Sequence, residues 1–166
     1  MYPDRNVRIL TVNSEQIDRQ AEVTLKNILV VDDAESFLRA LADWLSISAA
    51  SWKILTAENG SEALEILKSV QVDFIVTDLQ MPVMDGYKLL AYTTKNYPDI
   101  PAIAMTGSYT SEAKERLRAL GVPKCLEKPF SFKMMENTIM DEFALRANSK
   151  RLIENCQPEH CFIWKM

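Results

Sequence analysis

The chain has 166 residues, of which 48% are hydrophobic and 25% charged, as in a one-domain globular protein, and this excludes a disordered or collagen-like chain. Nineteen Lys and Arg against 23 Asp and Glu give a net charge of −4, which argues against a broad nucleic-acid-binding surface. Three cysteines are too few for a disulfide scaffold, and no apolar run reaches the roughly 18 residues of a membrane span. We therefore expect a cytoplasmic protein that binds neither nucleic acid nor membrane.

Regular patterning begins after a polar stretch of 26 residues, which we predict to be an N-terminal extension. Residues 28–31 are a continuous, largely β-branched apolar run, which is typical of a strand buried on both faces. Apolar residues at helical spacing follow from Phe37 to Leu45. Four more strand-then-helix units are predicted, with strands at 53–57, 72–77, 102–106 and 122–127, and helices opening at 59–62 and covering 87–96, 110–120 and 131–147.

Five β-then-α units with short connections predict a parallel sheet with helices on both faces and right-handed crossovers. We expect an α/β fold with a five-stranded, doubly wound parallel sheet in strand order 2-1-3-4-5. The folded domain is predicted to span 27–147, followed by a C-terminal tail over 148–166.

Polar side chains stand where the predicted strands end. The first strand ends in Asp32 and Asp33, the third in Asp78, the fourth in Thr106 and the fifth in Lys128. In an open doubly wound sheet, the binding site lies outside the carboxyl ends of the strands, at the point where the strand order reverses. We therefore expect three carboxylates, a hydroxyl and an amine at one rim of the sheet.

Three close carboxylates repel one another, so either one stays protonated or a cation sits among them. Oxygen ligands without a Cys/His set favour Mg²⁺, and Mg²⁺ beside an ammonium and a hydroxyl suits a phosphoryl group. An aspartate can itself be the nucleophile, and Asp78 is the best candidate because it stands alone at the middle strand. Each feature also has a plain explanation as a helix cap or a turn, but all four occur in order at strand ends.

At these positions the sequence resembles the receiver domain of bacterial two-component response regulators, over about residues 27–147. The resemblance is carried by four segments, which are 28–33, 78–86 (Asp-Leu-Gln-Met-Pro-Val-Met-Asp-Gly), 105–107 (Met-Thr-Gly) and 127–130 (Glu-Lys-Pro-Phe). It implies a flavodoxin-like receiver fold, like that of single-domain chemotaxis regulators, in which Asp78 is the phosphoacceptor. It also implies that Asp32, Asp33, Asp78 and the backbone carbonyl of Gln80 hold Mg²⁺.

The same resemblance implies that Thr106 contacts the phosphoryl group, that Lys128 pairs with it, and that the Lys128–Pro129 bond is cis. The implied function is phosphorylation-controlled signalling rather than enzymatic turnover of a substrate. A histidine kinase or phosphotransfer protein would supply the phosphoryl group. The output would be binding of an unidentified protein through the 107–147 face, and homodimerisation stays open.

Two residues depart from the family pattern. Cys125 stands where Tyr, Phe or His is usual, and rotation of that ring couples phosphorylation to the outer face in the family. Gln80 stands where Asn or Glu is more familiar, at a position that affects phosphoryl lifetime. Cys125 either weakens the coupling or leaves it to another group.

Three other interpretations are compatible with parts of the sequence. The chain could be a receiver-fold interaction module that phosphorylation no longer controls, which Cys125 favours and the intact acid set opposes. It could be a Mg²⁺-dependent phosphatase, although the short loops offer no substrate pocket. It could also be a receiver cut from a longer regulator, and the apolar tail argues weakly against that.

Overall fold

The structure, a computed structural model, describes residues 25–48 and 51–154. Its elements alternate strictly between strand and helix, which confirms the predicted five units. The strands are β1 (Lys26–Val31), β2 (Trp52–Ala57), β3 (Phe74–Asp78), β4 (Ala102–Thr106) and β5 (Cys125–Glu127). The helices are α1 (Glu35–Ser48), α2 (Gly60–Ser69), α3 (Gly86–Asn96), α4 (Ser111–Ala119) and α5 (Phe132–Glu154).

The strands form one parallel sheet in the order β2-β1-β3-β4-β5, which confirms the expected topology. Chain order reverses at β1, which pairs with β2 on one side and with β3 on the other. The crevice at the carboxyl ends of β1 and β3 is therefore the place where a doubly wound sheet binds its ligand.

Strand β1 is buried on both faces because its alternate side chains enter different parts of the core. Ile28 and Val30 pack with residues of α1 and α5, whereas Leu29 and Val31 pack with residues of α2 and α3. A third cluster lies between α3, α4 and the sheet. Helices α1 and α5 thus cover one face of the sheet, and α2, α3 and α4 cover the other.

Polar side chains fix where three of the helices begin. Asn59, Asp85 and Thr110 each stand just before a helix, and their side-chain oxygens accept hydrogen bonds from backbone N–H groups of the first turn of α2, α3 and α4. Because these caps follow the loops after β2, β3 and β4, they also fix the geometry of the rim that carries the site.

Strand β3 covers Phe74–Asp78 instead of the predicted 72–77, and two other predicted boundaries differ more. Strand β5 has three residues instead of the six predicted for 122–127, and Pro123, which has no backbone N–H to donate, stands in the part that does not pair. Helix α5 continues to Glu154 instead of ending near 147, since residues 148–154 contain no Gly or Pro that would stop it.

The predicted extension over 1–26 and the tail over 148–166 fall largely outside the described residues, so the domain boundaries stay predictions. Within the described ranges, every helix is too short or too polar to cross a membrane.

Candidate functional site

Three carboxylates meet at the crevice between β1 and β3. Asp32 and Asp33 follow β1, and Asp78 is the last residue of β3. Carboxylate oxygens of the three residues lie within 4.8 Å of one another. Asp32 is 0% exposed and Asp78 is buried, whereas Asp33 is open to solvent. The parallel strand order therefore brings together acids that are 45 residues apart in the chain.

Lys128 connects two of these carboxylates. Its Nζ lies 2.7 Å from Oδ2 of Asp32 and 3.0 Å from Oδ2 of Asp78. Burial lowers the pKa of Lys128, but its hydrogen bonds with Asp32 and Asp78 and the charges of both raise it more, so the pKa lies above its usual value. The amine is therefore a stable ammonium in the middle of the acidic cluster.

The remaining oxygens of the two buried carboxylates accept backbone hydrogen bonds. Oδ1 of Asp32 accepts from the N–H of Ala34 at 2.9 Å, and Oδ1 of Asp78 accepts from the N–H of Leu79 at 2.7 Å. Each carboxylate is thus held at both oxygens, which fixes its orientation before any ligand arrives.

The other two predicted site residues lie at the same rim. Thr106 is buried at the end of β4, and its Oγ1 accepts a hydrogen bond from the N–H of Ser108 at 3.2 Å. Gln80 is exposed, and its N–H makes a long hydrogen bond of 3.4 Å with Oδ1 of Asp78. The Lys128–Pro129 peptide bond is cis, as the resemblance implied.

The donor set fits a hard divalent cation. Three carboxylates within 4.8 Å offer only oxygen ligands, which is the chemistry that Mg²⁺ prefers. Asp33 is exposed, so the cluster can be reached from solvent. Ligands of this kind, beside an ammonium and a hydroxyl, can stabilise the charge of a phosphoryl group.

Sequence reasoning missed Gly86, at which the start of α3 packs directly against the backbone of Asp78. A Cβ atom at Gly86 would lie 2.0 Å from the carbonyl oxygen of Asp78, and the N–H of Gly86 donates to the carbonyl of Leu79 at 3.2 Å. Only a residue without a side chain permits this approach. The Asp-Gly pair at 85–86 indicates a loop, and no pattern in the sequence shows that its glycine contacts β3.

Sequence reasoning also missed Phe37, whose ring centroid lies 4.8 Å from Nζ of Lys128. The ring belongs to the first turn of α1 and packs edge-on against Phe130 at 6.1 Å and Phe132 at 5.9 Å. It provides an apolar and weakly attractive wall for the ammonium. Its position four residues after Asp33 was the available signal.

Cys125 is half-buried at the start of β5. Burial, followed by the charges of Glu127 and Asp78, raises the pKa of its thiol to about 11. The residue packs in the cluster between α3, α4 and the sheet, where it behaves as a small apolar side chain.

Comparison with protein families matches residues 28–140 to the response regulator receiver domain. Among curated proteins, the chain is 35% identical over 112 residues to the sensor histidine kinase RcsC of Escherichia coli, a match that covers 68% of this chain and 12% of that protein. It is 33% identical over 130 residues to the heme response regulator HssR of Staphylococcus aureus, a match that covers 76% of this chain and 57% of that protein. The chain thus spans only part of the length of these relatives.

Solved structures give the same result. The chemotaxis response regulator CheY4 of Vibrio cholerae superposes with a TM-score of 0.65 at 28% identity, covering 71% of this chain and 98% of that one. The response regulator TrrA of Thermotoga maritima, solved in complex with Mg²⁺ and BeF, superposes with a TM-score of 0.62 at 28% identity, covering 70% and 98%. The fold, the strand-end acids and these matches together show that the chain belongs to the receiver domain family of two-component response regulators.

Proposed function

We propose that this chain is a phosphorylation-controlled receiver that accepts a phosphoryl group on Asp78 from a histidine kinase or a phosphotransfer protein. The observation that carries the proposal is the environment of Asp78. Its carboxylate is oriented by Lys128 and by the N–H of Leu79, and two further carboxylates lie within 4.8 Å. Receiver domains are in general signalling modules rather than enzymes, and we propose a signalling role for this chain as well.

In the proposed reaction, a carboxylate oxygen of Asp78 attacks the phosphorus of a phosphohistidine. The P–O bond to Asp78 forms as the P–N bond to the donor imidazole breaks, and the bonding pair returns to the imidazole, which takes a proton from solvent. Lys128 stays protonated and pairs with an oxygen of the transferred group, whereas the hydroxyl of Thr106 donates to another. Relatives that include a protein named a sensor histidine kinase support this choice of donor.

The proposed metal ligands are the carboxylates of Asp32, Asp33 and Asp78, with the backbone carbonyl of Gln80. When bound, Mg²⁺ would supply positive charge beside the phosphoryl oxygens and lower the repulsion between them and the acids. The oxygen-only donor set of this chain and the Mg²⁺ in the TrrA structure support the assignment.

We further propose that the receiver spans 27–147 and that the protein is cytoplasmic. The phosphorylated form would regulate a protein partner through the 107–147 face. Helix α4 and strand β5 lie in this segment, and Thr106, which is adjacent to its first residue, would carry the signal into it.

The test is phosphorylation by acetyl phosphate, followed by intact mass spectrometry. We expect one phosphoryl adduct that requires a divalent cation and is absent from Asp78→Asn. The matched control is Asp73→Asn, because Asp73 is the partly buried acid just before β3 and pairs with Lys26, away from the cluster. An adduct that persists undiminished in Asp78→Asn would rule out Asp78 as the acceptor.

A second candidate function is an interaction module that phosphorylation does not control. The specific observation in its favour is Cys125, which cannot rotate a ring between two positions. Failure of the wild-type protein to take up any phosphoryl group, with Mg²⁺ bound, would favour this alternative.

A further inference from the structure

The apolar cluster between α3, α4 and the sheet contains two tyrosine rings beside Cys125. Tyr87 comes from α3 and Tyr109 from the loop after β4, and both pack with Leu117 of α4. The surroundings of Cys125, which brings no ring from β5, are therefore supplied with rings from α3 and from the loop after β4.

Tyr87 is connected to Asp78, the proposed phosphoacceptor, through the neighbouring residue Gly86. It follows Gly86, whose backbone is seated against the carbonyl of Asp78 and donates a hydrogen bond to Leu79. A methyl group at Gly86 would lie 2.0 Å from the carbonyl oxygen of Asp78, so the two backbone segments are in close contact. A shift of the backbone at Asp78 is therefore passed to the first turn of α3, which carries Tyr87.

On its other side, Tyr87 contacts helix α4. The guanidinium carbon of Arg116 lies 3.8 Å from the centroid of the Tyr87 ring. This distance is well inside the roughly 6 Å limit for an attractive cation–π contact. Helix α4 buries two residues, Ala113 and Leu117, so few contacts hold it against the domain. The contact between Arg116 and Tyr87 is therefore a substantial part of what fixes its position.

The pair is formed while Oγ1 of Thr106 is hydrogen-bonded to Ser108 within its own loop. The hydroxyl of Thr106 also donates to the carbonyl of Ser108 at 3.3 Å, so the pair is formed with the hydroxyl proton directed into its own loop. A ligand shifts a conformational equilibrium only through contacts that differ between the two states.

We propose that the contact between Tyr87 and Arg116 is the link through which the state of Asp78 reaches α4, in place of the ring that Cys125 lacks. This inference rests on the proposed function, because it assigns the regulation of the same site. The contact holds α4 in the unphosphorylated arrangement and weakens when α4 shifts. By reciprocity, removing the contact makes binding of a phosphoryl mimic at Asp78 easier.

The test is a titration of the full chain with beryllofluoride in the presence of Mg²⁺, followed by amide chemical shifts. We expect Arg116→Gln to bind beryllofluoride about two- to fivefold more tightly than the wild type, the range that an exposed cation–π contact provides. We also expect smaller shift changes over 111–119. Arg118→Gln is the matched control, since it removes the same charge from the same exposed helix end and should behave as the wild type.

Substitutions of the ring test the pair itself. Tyr87→Phe keeps the ring and should retain wild-type affinity, whereas Tyr87→Leu should match Arg116→Gln. The double variant should gain no more than either single variant, because both remove one interaction. If Tyr87→Leu does not fold, Arg116→Gln against Arg118→Gln still decides the question.

Two results would overturn the inference. If the wild type binds beryllofluoride but Arg116→Gln and Arg118→Gln have the same affinity, the inference fails and the proposed function stands. If the wild type shows no response to beryllofluoride around Asp78, the proposed function fails and the inference fails with it.

Discussion

Lys128 and Asp32, which are 96 residues apart in the chain, form an ion pair with 2.7 Å between Nζ and Oδ2. The same ammonium lies 3.0 Å from Asp78, so a single cation offsets the charge of two buried acids. The arrangement explains how a fold can keep three carboxylates at one rim. It also predicts which variants should be sensitive to magnesium.

Lys128→Met should destabilise the protein in the absence of metal. Removing one partner of a buried ion pair costs about 3–5 kcal/mol, and we expect about 2–3 kcal/mol because the side chain of Lys128 is 25% exposed. Mg²⁺ should restore part of the loss, since it supplies positive charge to the same acids. Urea unfolding with EDTA and with Mg²⁺ measures both effects.

Lys124→Met is the control for this experiment. Lys124 pairs with Glu142 at 2.6 Å, far from the acidic cluster and more exposed than Lys128. We expect its free energy of unfolding to fall by at most about 1 kcal/mol, and this change should not depend on Mg²⁺. Equal losses in the two variants, or a Lys128→Met loss that Mg²⁺ leaves unchanged, would contradict the assignment.

Asp33→Asn should make the protein more stable than the wild type without magnesium and less stable than the wild type with it. Without metal, the free energy of unfolding of the variant should rise, because one like charge leaves the cluster. The rise should be only about 0.5 kcal/mol, because Asp33 is exposed. With Mg²⁺ in hundredfold excess over its Kd, the wild type should gain about 2.7 kcal/mol, and the variant should gain much less. Thermal melts of both proteins, with Asp43→Asn as an exposed control on α1, decide the point.

The alternation of strands with helices and the acidic cluster could be predicted from the sequence because they depend on local patterns. A buried apolar run followed by an acid marks a strand end, and parallel strands place all their carboxyl ends at one edge. The contact of Gly86 with Asp78 and that of Tyr87 with Arg116 could not be predicted, since each depends on how closely two elements pack. The full extent of α5 could not be predicted either, because an open-ended helix lacks a stop signal.

Gly86→Ala should be strongly destabilising. The added Cβ would lie 2.0 Å from the carbonyl oxygen of Asp78, a backbone atom that cannot rotate away. We expect a loss of at least about 3 kcal/mol, at the upper end for overpacked sites. Gly107→Ala is the matched control, because no atom of the described part of the chain lies within 4 Å of the position that its methyl group would take. Its loss of free energy of unfolding should stay below about 0.5 kcal/mol. Similar losses in the two variants would show that α3 is not seated as described.

Val83→Asn should stabilise the loop between β3 and α3. Val83 has φ of 65°, and the N–H of Met84 donates to the carbonyl of Pro82 at 2.7 Å, so Val83 is the central residue of a tight turn. A β-branched residue is strained there, whereas Asn tolerates positive φ. Val83 is 80% exposed, so replacing its side chain removes little packing.

We expect Val83→Asn to gain about 1 kcal/mol in free energy of unfolding, measured by urea denaturation. Val83→Thr keeps the β-branch and should leave the stability unchanged. A gain in the Thr variant equal to that of the Asn variant would show that relief of backbone strain is not the cause.

The thiol of Cys125 should react slowly with alkylating reagents. Burial and the nearby charges of Glu127 and Asp78 raise its pKa to about 11, so at pH 8 the reactive thiolate is much scarcer than in the unfolded chain. We expect the alkylation rate of the folded protein to rise about tenfold per pH unit between about pH 8 and 10, below that pKa. The measurement uses iodoacetamide and a variant with Cys156→Ser and Cys161→Ser, so that Cys125 is the only thiol. The same variant unfolded in urea is the control. Equal alkylation rates in water and in urea at about pH 8 would show that the cluster between α3, α4 and the sheet does not shield the thiol.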